Sequence, residues 1–445
     1  MLRRTRWPVN NRHYDRLVRP GIILLMFMLQ VFTVAGQSKQ KTFKQDDVWS
    51  IFAKEANQAQ RDSVTSKPMV LYKPYYSIIP FVGYNPAYGM LIGVGSTVGI
   101  LLGKPATTPV STVSLAINLT AKSQKILNLR TNIITAGSRF ILRGDWRFMI
   151  FSQPTYGLGS GRASEKGESV TVHADGETVT DYGTAQQIDY NYIRFYETFY
   201  FRIWKKLYAG VGYALDDYTK IKDLQLNLES SPAQITSHYK YCTDHGFNPE
   251  HQTISGFSIE MLLDSRDNSI RPTRGYFANL AFRPNFAFLG SSKNSLMLNT
   301  EFRTYLRLSS KRPDHLVAFW YTGQFTQKGR VPYLGLPAIG WDMYNRTGRG
   351  YIQGSIRGVS MVYAEAEYRF PLSRYTGILA GVVFINATSA SSDDASRPLF
   401  SYADPAAGAG LRVMFNRKTL SNLTIDAGIG TRGTLGVYFN QNEAF

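Results

Sequence analysis

Gly433-Thr434-Leu435-Gly436-Val437-Tyr438-Phe439-Asn440-Gln441-Asn442-Glu443-Ala444-Phe445 is a short alternating segment that ends on an aromatic. In a strand, every second side chain falls on the same face. A strand of a closed barrel in the bacterial outer membrane needs apolar side chains toward lipid at alternate positions and an aromatic at the water boundary. Phe445 is therefore expected at that boundary, as the C-terminal signal of such a barrel.

Working outward, the same period of two runs back to Tyr75. Over 296–308 the outward set is Leu296, Leu298, Phe302, Leu306 and Leu308, while Met297, Asn299, Glu301, Arg303, Tyr305 and Arg307 face a polar interior. Over 191–203, Ile193, Phe195, Phe199, Phe201 and Ile203 face out, and Tyr192, Arg194, Tyr196, Tyr200 and Arg202 face in, with Glu197 as the misfit. A soluble sandwich would bury its apolar face; a polar face this rich in Arg, Glu and Tyr points to a wet lumen. The pattern gives sixteen candidate strands from about residue 77 to 445, an even count that returns the chain to its starting side. The long gaps at 151–189, 217–251, 327–357 and 388–406 all fall on one side, and the turns on the other are mostly short. The expected fold is all-β: a 16-stranded antiparallel transmembrane β-barrel over 75–445.

Composition agrees. Only 18% of the residues are charged, 13% are aromatic, and 28 Tyr stand against 26 Phe, a balance that favours strands with interfacial girdles. Arg3, Arg4, Arg6, Arg12, Arg16 and Arg19 precede an apolar stretch from Gly21 to Val34, followed by Ala35 and Gly36. Residues 1–36 thus have the form of a secretory signal peptide, because the apolar stretch falls short of the ~20 residues of a spanning helix. Residues 37–74 are expected to be a short periplasmic segment with a modest apolar patch at Val48, Trp49, Ile51 and Phe52. No later run is long and apolar enough for a helix, so any crossing must use strands. The net charge is +18, and the signal's six Arg and one Asp leave about +13 on the rest. These cations are scattered rather than gathered in a stripe, which argues against nucleic acid and for anionic lipid head groups, lipopolysaccharide included, as the partner surface.

The turn Asp264-Ser265-Arg266-Asp267-Asn268-Ser269-Ile270-Arg271-Pro272-Thr273-Arg274-Gly275-Tyr276 sets Pro and Gly punctuation in dense charge. Taken alone it is a solvated periplasmic turn. It also resembles, nearly residue for residue, the turn that marks the bacterial surface antigen barrel of the BamA/TamA superfamily. Pro80 to Gly89 is similar to that family's first hairpin, Arg349-Gly350-Tyr351 to the signature of its sixth extracellular loop, and Glu365 to Leu372 to the strand after that loop. Gly408 to Arg412 and Phe445 resemble the closing strands.

The resemblance implies that the sixth loop folds into the lumen and that Arg349 pairs with Glu367 on the wall. It also implies a second acid in a Phe-x-Asp-x-Gly pattern, but the chain has Phe384-Ile385-Asn386-Ala387-Thr388, with Asn386 where Asp is expected, and Gly348 where a β-branched residue precedes the Arg. A weaker loop lock is expected. The implied function is insertion or translocation of proteins or lipids at the outer membrane, through a seam between the first and last strands. Unfolded barrel clients are the implied substrates. Typical members carry periplasmic polypeptide-transport-associated domains, which 38 residues cannot hold, so periplasmic accessory proteins would capture the client. The rival reading is a passive pore or scaffold that kept the barrel and lost insertase activity.

No cofactor or catalysis is expected. The chain has six His and lacks the Gly-x-Ser-x-Gly, His-Glu-x-x-His and phosphate-loop patterns. Ser, His and Asp occur in 217–251 without a catalytic arrangement. His238, Cys242, Asp244, His245 and His251 include metal-ligand types, but their spacing matches no standard signature, and no metal is expected. The single Cys242 allows no internal disulfide.

Overall fold

A computed structural model of the chain describes Val48 and residues 69–85, 89–161, 170–174, 177–181, 185–231, 233–373, 376–393, 397–416, 420–431 and 433–445. The expected signal peptide, nearly all of the segment 37–74 and Pro86 to Tyr88 of the first hairpin lie outside these residues.

Sixteen strands form one antiparallel sheet in chain order. They are β1 (Tyr75–Asn85), β2 (Gly89–Ile100), β3 (Ser111–Thr120), β4 (Lys125–Ile134), β5 (Phe140–Thr155), β8 (Gln186–Trp204), β9 (Leu207–Asp223) and β10 (Gln252–Asp264). After them come β11 (Gly275–Asn285), β12 (Ser295–Arg307), β13 (Leu316–Gly329), β14 (Ser360–Pro371), β15 (Leu379–Ala390), β16 (Asp404–Asn416), β17 (Ser421–Gly430) and β18 (Leu435–Gln441). A separate hairpin, β6 (Val170–Ala174) with β7 (Glu177–Asp181), stands in the first long connection. It was not expected from the sequence. The sheet curls so that β1 and β18 lie side by side. No backbone ladder joins these two among the described residues.

The two faces follow the alternation. Ile193, Phe199, Phe201, Leu306 and Leu308 are exposed on the outside, where lipid would cover them, and Tyr192, Arg194, Tyr200, Arg303 and Tyr305 are buried inside. The misfit Glu197 is met by a neighbour: Trp146 Nε1 donates to its carboxylate at 2.9 Å. A hydrogen bond of this kind offsets part of the cost of placing a carboxylate on an apolar face.

The end of the chain departs from expectation. β18 stops at Gln441, and Asn442, at φ 70°, turns the backbone inward. Asn442 N donates to Asn422 O at 2.7 Å. Glu443 is then held inside by Arg412 Nε at 2.8 Å and Asn422 Nδ2 at 2.6 Å. Phe445 is consequently 4% exposed, inside the sheet rather than on its outer surface. Its ring lies 5.3 Å from Trp320 and 6.2 Å from Tyr305. Two forces displace it: a left-handed residue breaks the alternation, and the interior arginines attract the adjacent carboxylate.

Candidate functional site

The connection 330–359 folds back inside the sheet, where Tyr333, Ile339, Tyr351 and Ile356 are buried. Its local sequence makes the fold. Asp342 Oδ1 accepts from the backbone of Arg346 at 2.9 Å and Thr347 at 2.8 Å, and its Oδ2 accepts from Tyr344 N at 3.0 Å. This side-chain turn reverses the chain. Gly348 and Gly350 follow at φ 80° and 105°, the left-handed region where a β-branched residue would be strained. That is why Gly stands before Arg349 here. The two glycines swing the guanidinium between them toward the wall.

Arg349 is 3% exposed and meets three carboxylates. Its Nε donates to Glu365 at 3.2 Å and its Nη1 to Asp426 at 3.1 Å, while Nη2 contacts both Glu365 and Glu367. The Phe384 ring lies 3.7 Å from the guanidinium carbon. Arg369 and Arg412 supply the balancing charge: Arg369 Nε reaches Glu367 at 2.7 Å, and Arg412 Nη1 reaches Asp426 at 2.5 Å. In so dry a network each carboxylate needs both its cation and its hydrogen bonds to offset desolvation.

Sequence reasoning placed Arg349 and Glu367 together, as the structure does. It missed Glu365 and Asp426. Asn386 takes another part, donating from Nδ2 to the Arg349 carbonyl at 2.9 Å. The Asp-x-Gly pattern that β15 lacks stands two strands later, as Asp426-Ala427-Gly428 on β17, and the aromatic Phe384 stays on β15. Inward parity along β17 was the available signal. Gly428 and Gly430 leave room for the loop: a Cβ on Gly428 would sit 2.9 Å from Gly350 N, and one on Gly430 would sit 2.5 Å from the Tyr351 ring. The departures from the family pattern thus leave Arg349 with three acids, not with fewer.

The same turn is tied to the last strand. Gly350 N donates to Tyr438 Oη at 2.9 Å, Tyr438 Oη donates to Tyr351 O at 3.1 Å, and Thr434 Oγ1 donates to Gly350 O. Gly436 is required beneath Tyr438, because a Cβ there would lie 2.2 Å from the phenol oxygen.

A second network grips the loop from the opposite wall. Arg147 pairs with Asp145 at 2.7 Å and donates to Asp342 O at 2.7 Å and to Asn345 Oδ1 at 2.6 Å. Arg194 bridges Asp145 at 3.3 Å and Asp216 at 3.1 Å and donates to Trp341 O at 3.2 Å. Arg283 adds a further pair to Asp216 at 2.9 Å. None of these residues was expected at the site.

The charged turn after β10 is ordered by its own side chains. Asp264 pairs with Arg266 at 2.8 Å, and Asp267 accepts from Thr273 N at 2.9 Å, Thr273 Oγ1 at 2.6 Å and Arg274 N at 3.3 Å. Pro272 is buried, Arg274 is exposed, and Gly275 at φ 96° closes the turn against Ser265 O. Elsewhere the structure scatters the metal-ligand residues. His238 and Cys242 lie 3.5 Å apart on the short helix Ser237–Asp244, with Gln252 Nε2 3.0 Å from His238 Nε2. His251 faces Asp217, and Asp244 pairs with Lys240. No cluster of three such ligands exists among the described residues.

Comparison with known proteins gives three results. A family model described as the Omp85 superfamily domain matches residues 151–445. The fold is similar to that of BamA from Haemophilus ducreyi, solved without POTRA domains 1–3, at a TM-score of 0.51 and 15% identity, covering 83% of this chain and 70% of that one. CdiB from Acinetobacter baumannii matches at a TM-score of 0.48 and 11% identity, over 84% of this chain and 60% of that one. No relative is found among curated protein sequences.

Proposed function

The chain belongs to the Omp85 superfamily, and from that premise we propose that it inserts client β-strand proteins into the outer membrane through the gap between β1 and β18. As a member it is an outer-membrane protein of the insertion and translocation class. One observation carries the finer reading. Among the described residues, every neighbouring pair in the sheet is joined by a backbone ladder except β1 and β18, which lie side by side without one. Unpaired strand edges present rows of N–H and C=O groups that template an incoming strand. β18 has seven residues; it is laddered to β17 and is also tied to the loop through Thr434 and Tyr438. The Arg349 network therefore governs where one lip of the gap sits. Clients would arrive with periplasmic partners.

Reconstitution in liposomes with an unfolded barrel client tests this. Faster client folding than in protein-free liposomes is expected, and Arg349→Ala should abolish most of the gain. No acceleration, with or without candidate periplasmic partners, overturns the proposal in favour of a passive scaffold. Conductance separates the pore reading: removing 330–356 from a plugged insertase should open it wide, and an open pore should barely change.

A further inference from the structure

A cavity of about 430 Å³ lies between the walls of β2–β4, the loop turn at Met343–Arg346 and the last two strands. Its lining mixes the two faces of the sheet. Asn128 and Arg130 on β4 point inward, whereas Val82 on β1, Ile425 on β17 and Phe439 on β18 belong to the outer apolar surface, at 60%, 40% and 39% exposure. β1 and β18, which no ladder joins among the described residues, both border this void. The cavity therefore reaches from the lumen to the gap between them.

Its inner end is cationic and underbonded. Arg130 makes no hydrogen bond or ion pair among the described residues; its guanidinium stands 5.4 Å from the Tyr344 ring, and its buried Nε has no partner. The carboxylate opposite it in the β4–β5 register, Asp145, is already engaged by Arg147 and Arg194. Arg346, which has partners of its own, adds a second guanidinium to the wall. Glu443 is the lone acidic side chain among the lining residues, and Arg412 and Asn422 already hold it. A buried guanidinium nitrogen left in this state calls for a partner, and a guanidinium selects an anion.

We propose that this cavity is a binding site for an anionic phospholipid, with the phosphate at Arg130 and an acyl chain leaving through the β1–β18 gap. A phosphodiester has one negative charge and two free oxygens, which suits the guanidinium fork. The volume lies in the range of small-molecule sites and fits a head group. A free anion would leave the apolar outer end unfilled, and a zwitterionic lipid would bring a second cation beside Arg130 and Arg346. The site does not depend on the insertion reading, since no client enters the measurement below.

The full chain, washed in detergent containing equal dioleoyl phosphatidylglycerol and dioleoyl phosphatidylcholine, is assayed by native mass spectrometry for retained lipid. Retention of phosphatidylglycerol over phosphatidylcholine is expected, and Arg130→Gln should reduce that preference about tenfold, as loss of a charge-assisted contact implies. Asn128→Asp, which adds an anion at the wall, should reduce it as well, and Val82→Phe should block the chain's exit. Heat-modifiable migration on gels identifies which variants are folded, so that one folded variant suffices. Equal retention of the two lipids overturns the proposal. So does unchanged phosphatidylglycerol retention in the folded variants. Inorganic phosphate binding that needs Arg130, with neither lipid retained, overturns it in favour of a free-anion site.

Discussion

The loop is held inside the sheet by two networks with opposite charge layouts. Around Arg349, one loop cation is ringed by three wall acids, with Arg369 and Arg412 behind them. On the facing wall, the acids Asp145 and Asp216 are ringed by Arg147, Arg194 and Arg283, and the loop contributes carbonyl oxygens of Trp341 and Asp342 and the Asn345 amide oxygen. The first network depends on the identity of one loop side chain. The second depends mainly on where the loop backbone runs. Loss of Arg349 should therefore leave Glu365 without a cation and take one partner from Glu367 and Asp426, whereas loss of one wall arginine leaves its carboxylate another partner.

The largest expected effect tests that asymmetry. Arg349→Ala should destabilise by about 3–5 kcal/mol, the usual consequence of leaving buried charge unpaired, seen as a lower temperature of heat-modifiable migration and as protease entry into 330–359. Equal stability of Arg349→Ala and wild type would erase the distinction between the networks. Next is Arg147→Ala. Asp145 keeps Arg194 at 3.3 Å, so a smaller loss of about 1–3 kcal/mol is expected, from the hydrogen bonds surrendered at Asp342 and Asn345. Hydrogen exchange should localise it to 341–346 and leave Gly350 protected. Exchange that spreads to Gly350 would mean the two networks act as one.

Tyr438→Phe should have a milder effect, about 1 kcal/mol for the lost bonds to Gly350 and Tyr351. Faster exchange in β18 without change around Asp145 is the signature to look for. If β18 is unaffected, the loop does not anchor the lip of the gap.

The smallest effect lies outside both networks. Burial pushes the Cys242 thiol up from 9.0 to about 12, so the folded state favours the protonated form. Stability from this group is complete below pH 9 and falls as pH rises toward 12. Cys242→Ala should flatten that part of the profile, and maleimide should label the folded protein slowly at pH 8.

Some of this was legible in the sequence because strand periodicity is local. Leu296 to Leu308 and Ile193 to Ile203 declare their faces without reference to any neighbour, and the sixteen strands follow from repeating that reading. Arg349 and Glu367 were legible through their place in an ordered set of motifs. Asp426 was not, because it serves Arg349 from two strands beyond the expected position. Asp145, Arg147, Arg194 and Asp216 were hidden for a different reason: they grip the loop chiefly by its backbone, which leaves no side-chain pattern to find.

The sequence alone determined that apolar and polar side chains alternate, hence that the chain makes strands with one greasy and one wet face. Pairing among buried charges, the inward turn of Phe445 and the gap beside β1 were decided only in the tertiary structure. Each depends on which residues distant along the chain arrive within a few ångströms of one another, and Coulomb attraction and desolvation are fixed by those distances rather than by spacing along the backbone.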